Sequence, residues 1–159
     1  MIAAVAATVA LAAASAAPAK ITPMRVGGVK LHATHASLQD AGLVGRARTG
    51  CELEGPGKHA AVLRAPLKGA VELTRKSPRR IRSIAVTGGA TARGVAIGDK
   101  RAAVKAAFPK ATFDASVQET FGITLVRIPK DGGGRLQIAL DAKTGKVTEF
   151  GIPFIKFCE

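Results

Sequence analysis

The chain of 159 residues contains no tryptophan and no tyrosine, and its whole aromatic content is six phenylalanines. Aromatics interleaved with basic residues, the platform on which single-stranded nucleic acids stack, are therefore missing. Histidine is also scarce, with only His32, His35 and His59. Just one pair, His32 and His35, has a helical i, i+3 spacing, and two ligands fall short of a zinc site. The two cysteines, Cys51 and Cys158, make no Cys-x-x-Cys motif, which argues against a redox enzyme. Among five serines there is no Gly-x-Ser-x-Gly elbow. Gly132-Gly133-Gly134 lacks the Lys-Ser/Thr that follows a phosphate loop, so a hairpin is the better reading. Glu52 and Glu54 alternate as a strand would and read as a solvated edge rather than an acid/base dyad. No catalytic residue, metal ligand or cofactor is expected.

Long apolar runs are absent after Met1–Ala19. That segment carries no charge, is rich in Ala, Val, Leu and Ile, and closes on Ala17-Pro18-Ala19, as a secretory leader with a small-x-small cleavage site does. It lacks the basic residue that usually precedes the apolar run. The product expected from it is exported, secreted or held in the periplasm or cell envelope, with no transmembrane segment. In such a compartment Cys51 and Cys158 are expected to pair. Closing so long a loop contributes up to about 4–5 kcal/mol on the chain-entropy argument.

What the chain has in excess is positive charge. Lys and Arg number 24 against 11 Asp and Glu, for a net charge of +13. Ten of the basic residues and only two acids fall between Glu72 and Lys110, and Arg75, Lys76, Arg79, Arg80 and Arg82 crowd one predicted hairpin. A surface of this kind attracts polyanions over roughly 8 Å at physiological salt. Outside a membrane the available anions are wall polymers, phospholipid headgroups and acidic proteins.

The second positive feature is self-similarity. Gly28-Val29-Lys30-Leu31 opens a segment reaching Ala41, and Gly94-Val95-Ala96-Ile97 opens another reaching Ala107, so that the two beginnings and the two ends are separated by the same offset. Val62-Leu63-Arg64-Ala65-Pro66 also resembles Leu125-Val126-Arg127-Ile128-Pro129, at a slightly shorter separation. A fixed period of this size reads as one supersecondary unit written twice. In the first copy Thr34 to Leu43 reads as a helix bearing Leu38 and Ala41, Cys51-Glu52-Leu53 as a brief strand, and Ala60–Arg64, Gly69–Thr74 and Ile81–Thr87 as an antiparallel meander. In the second, Asp99 is placed to cap a helix carrying Ala102, Ala103, Val104, Ala107 and Phe108. Strands are expected over Phe121–Ile128, Arg135–Leu140, Lys146–Phe150 and Ile152–Cys158, with Thr87-Gly88-Gly89-Ala90 as the joint between halves. The fold class is therefore α+β, with a signal peptide over 1–19 and two tandem units, 20–89 and 90–159. Each unit is a short helical segment packed on an antiparallel β-sheet.

Gly94-Val95-Ala96-Ile97-Gly98-Asp99, followed by Val104 and Phe108-Pro109, resembles the repeat of the β-lactamase-inhibitory-protein group and is similar to small envelope lipoproteins of the BamE type. The resemblance spans Val26 to Cys158 and implies tandem units of helices on a four-stranded sheet. It also implies a secreted hydrolase as the partner to be inhibited. Inhibitor interfaces rely on buried Trp and Tyr anchors, and no position here matches one. The expectation is thus an exported, non-enzymatic binding module that takes a protein or an anionic cell-envelope polymer, not nucleic acid, on its sheet face and basic hairpin. Hydrolase inhibition is the alternative.

Overall fold

The computed structural model describes residues 17–131 and 134–158, so the expected leader lies almost wholly outside the described residues. Three short strands come first: β1 (Ala19–Thr22), β2 (Arg25–Val26) and β3 (Val29–Lys30). After them come helix α1 (His35–Asp40) and strands β4 (Ala60–Val62), β5 (Lys68–Leu73) and β6 (Ile81–Gly88). The second half holds β7 (Ala90–Thr91), α2 (Arg101–Ala107), β8 (Thr112–Asp114), α3 (Gln118–Phe121), β9 (Ile123–Asp131), β10 (Gly134–Asp141) and β11 (Val147–Ile152). A seven-stranded sheet runs β4-β5-β6-β11-β10-β9-β8, antiparallel throughout. The small second sheet runs β3-β2-β1-β7, with β1 and β7 parallel. The α+β class follows from this content.

One face of the large sheet is the core. Val71, Leu73, Ile84, Val86, Ile138, Leu140, Phe150 and Ile152 are buried there together with Leu38 of α1, Val104 of α2 and Val26 and Val29 of the small sheet. Fully burying each large aliphatic or Phe side chain contributes about 1.5–3 kcal/mol, so this layer is what holds the short helices in place. Neither helix has the length to be stable alone.

Backbone bonds recur at the offset that separates Gly28 from Gly94. The N–H of His32 donates to Ile81 O at 2.9 Å, and that of Gly98 to Val147 O at 2.8 Å. His35 N–H reaches Arg79 O at 2.8 Å, and Arg101 N–H reaches Gly145 O at 2.9 Å. Ile81 N–H meets Ala33 O at 2.9 Å, and Val147 N–H meets Asp99 O at 2.8 Å. Ala85 of β6 lies opposite Gly151 of β11, its counterpart at that offset, with Ile84 against Ile152 and Val86 against Phe150 on either side. The β6–β11 register is therefore symmetric about the Ala85–Gly151 pair.

Three local expectations need correction. Asp99 does not cap α2: its Oδ2 accepts the Ala96 N–H at 2.8 Å, closing the preceding turn, and Lys100 occupies the cap position. Cys51-Glu52-Leu53 is no strand, and Glu52–Glu54 forms a 3-10 turn. The sheet edge beside β4 is already occupied by Val44 and Arg48, which bridge to Leu63 and Ala60. Residues 153–158 are no strand either, because β11 already has β6 on one side and β10 on the other. This tail instead lies across the second face of the large sheet. Ile155 packs on Leu125 and Ala139, its N–H donates to Gln137 Oε1 at 2.8 Å, and Phe157 stacks on Phe121 with centroids 4.4 Å apart. A Cβ at Gly151 would sit 2.5 Å from Phe154 O, so only glycine lets the tail approach β11 this closely.

Candidate functional site

The tail ends in the expected bridge. Cys158 is bonded to Cys51 across a sequence separation of 107 residues, with Cα atoms 5.6 Å apart. Beside it Lys156 forms an ion pair with Glu72 of β5. Ser83 Oγ donates to the other Glu72 oxygen at 2.8 Å. These groups line a groove of about 280 Å³ between the tail and residues 48–51, floored by Ala60, Ala70 and Ala85. Glu149 also faces it, and burial pushes its carboxyl above the ordinary range. Ser83 is thus a donor to an ion-paired carboxylate, with no imidazole among the groove residues to take its proton. Among the described residues no group of three or more His, Cys, Asp or Glu is placed to hold a metal. His35 Nε2 lies 2.9 Å from Gly45 O, and the buried His59 has its Nε2 3.1 Å from Pro56 O.

The basic residues of the β5–β6 connection do not form a single patch. Arg75 and Lys76 are exposed at its tip. Arg79 Nη1 donates to Lys58 O at 2.7 Å, tying down the loop that follows the 3-10 turn. Arg80 Nη1 donates to His32 O at 2.9 Å, and its backbone N–H to Thr74 Oγ1 at 2.9 Å. Two of the five thus serve backbone carbonyls. Arg82 leaves the connection altogether: it lies at the register shift between Glu72 and Leu73 and lines a recess at the end of the sheet.

That recess, about 370 Å³, is lined by Met24, Leu31, His32, Arg82, Lys130, Gly134, Arg135 and Pro153. It forms where the start of β6, the end of β11 and the β9–β10 hairpin meet at one end of the sheet, under the β1–β2 turn. Lys130 also lines a neighbouring recess of about 390 Å³, with Arg93, Phe108, Pro109, Lys110, Ala111, Ile128 and Pro129. The Arg93 guanidinium lies 5.2 Å from the Phe108 ring centre, within cation–π range. Both linings hold only apolar and basic side chains, glycine and His32, with no acid among the described residues. Sequence reading placed Arg93 and Lys110 in the basic stretch but missed Lys130 and Arg135. Their signal was their position on either side of Asp131-Gly132-Gly133-Gly134, where a hairpin brings two basic residues together.

No helix among the described residues is long and apolar enough to cross a membrane. Compared with known proteins, the chain matches no family model, no curated protein and no solved structure.

Proposed function

We propose that the protein is an exported, non-enzymatic binding module of two tandem α+β units, 20–89 and 90–159, whose basic sheet end holds an anionic cell-envelope polymer. One observation carries the polymer reading: Arg82, Arg93, Lys110, Lys130 and Arg135, drawn from distant parts of the chain, line two recesses that share Lys130. Convergence of basic side chains raises the local concentration of anions, which suits an anionic ligand. The backbone bonds repeated at one constant offset and the symmetric β6–β11 register support the duplication. The Cys51–Cys158 bridge fits an oxidising compartment and, with the Met1–Ala19 leader pattern, supports export.

A protein partner, including the secreted hydrolase that the inhibitor resemblance implies, fits the surface less well. The exposed large apolar side chains among the described residues are Met24, Leu53 and Val62, with no aromatic anchor among them. Retention on purified cell-wall material separates the two. A polymer held by charge releases the protein between about 0.05 and 0.5 M salt, and charge reversal at Arg75, Lys76, Arg79, Arg80 and Arg82 together with Lys130 and Arg135 abolishes retention. Retention that survives both, or capture of a hydrolase that salt does not reverse, overturns the polymer reading.

A further inference from the structure

The geometry points to a phosphate-binding site in the recess at His32, Arg82, Lys130 and Arg135, with the His32 ring as a hydrogen-bond donor to the anion; this rests on the reading of the basic surface as polyanion-binding. His32 has φ 65°, in the left-handed region that side-chain-bearing residues seldom occupy. Its counterpart in the second half is Gly98, with φ 92°, whose N–H makes the equivalent bond to the equivalent strand. The turn therefore works with no side chain. A histidine held there by the Ile81 carbonyl on one side and the Arg80 guanidinium on the other points to a use for its ring.

His32 lines the recess, and the charged residues that line it with His32 are, among the described residues, Arg82 from β6, Lys130 from the end of β9 and Arg135 from the start of β10. Arg80 meets its carbonyl, and Met24, Leu31 and Pro153 supply apolar walls. Cations arriving from three strands match a compact anion with several acceptor oxygens. The oxygens of a phosphate ester are disposed tetrahedrally and can meet donors from several sides, whereas the two of a carboxylate lie in one plane. The imidazole ring of His32 offers that anion a further hydrogen-bond donor. The phosphoryl group can belong to a phosphodiester wall polymer or to a lipid headgroup.

Sulfate is the first probe, followed by inorganic phosphate, with binding read from the histidine ring signals in NMR spectra. The His32 signals move saturably and those of His59 do not. His32→Gly keeps the fold, raises Tm by relieving the turn and weakens sulfate binding about tenfold. K130E/R135E abolishes binding. Pelleting with phosphatidylglycerol vesicles that phosphate competes away assigns the headgroup as the source, and its absence alongside retention on wall material assigns the polymer. Unmoved His32 signals, or variants that bind sulfate as the parent does, overturn the site. If those variants also keep full retention on wall material while reversal at Arg75, Lys76, Arg79 and Arg80 abolishes it, the recess inference fails and the broader reading stands.

Discussion

The connection over residues 74–80 and the one over residues 141–146 join equivalent strands and make the same bonds to the segments that start α1 and α2, yet they are built from opposite chemistry. In the second, Asp141 Oδ1 accepts from the backbone N–H groups of Lys143 and Thr144 at 3.1 and 2.6 Å and from Thr144 Oγ1 at 2.8 Å. One carboxylate organises the whole turn, and those bonds hold it below the usual carboxylate range. In the first, Thr74 Oγ1 takes the equivalent place as acceptor, receiving the Arg80 N–H, while Arg79 and Arg80 send guanidinium groups out to carbonyls of neighbouring loops. The shared part is backbone geometry. The divergent part is the side-chain chemistry, a carboxylate in the second connection and arginines in the first.

The comparison breaks first if the halves are independent. Ile84 and Phe150 are counterparts in the two halves, both fully buried and on adjacent strands of one sheet. Phe150→Ala and Ile84→Ala should cost about 3–5 and 2–5 kcal/mol respectively, each within a single unfolding transition seen by calorimetry. Two separable transitions would show that the halves fold as separate domains.

The tail is present on the second half alone, so removing its anchor sharpens the contrast. C51S/C158S should lose about 4 kcal/mol and expose the Leu125–Ala139–Ile155 cluster, read as faster amide exchange in β9 and β10 than in β4 and β5. Asp141→Ala should have a smaller effect confined to its own turn. Its carboxyl is held low in the folded state, so its stabilisation is present above the ordinary carboxylate range and is lost as pH falls through the folded value. The variant should therefore flatten the acid limb of the Tm-against-pH curve, whereas Thr74→Ala should shift Tm equally at every pH. The smallest effect belongs to Glu149. Burial raises its carboxyl, so the folded state keeps a proton that the unfolded chain releases, and stability declines as pH rises through that window. Glu149→Gln should match the parent near pH 4 and exceed it at neutral pH by less than about 1 kcal/mol.

Much of the architecture was legible because it rests on periodic signals. Short apolar runs between turn residues located β5, β6, β10 and β11 to within two residues at either end. The cysteine pairing was readable from their number and the leader-like pattern of Met1–Ala19. What escaped was decided by neighbours distant in sequence. Residues 153–158 have a strand's composition, but β11, which they follow, already has a neighbour on each side, and Asp99 has a cap's chemistry but a nearer donor in Ala96. The recess was only half visible, since Arg82 stood out in a run of charge while Lys130 and Arg135 were spaced as ordinary hairpin flanks. The strained backbone at His32 left no mark in composition and showed only beside Gly98.

The tail across Gly151 also sets an order of events. Cys158 follows every strand of the large sheet in the chain, and the groove it closes is built from strands of both halves. In a chain made amino end first, its bond to Cys51 can therefore form only after the last of those strands has been made.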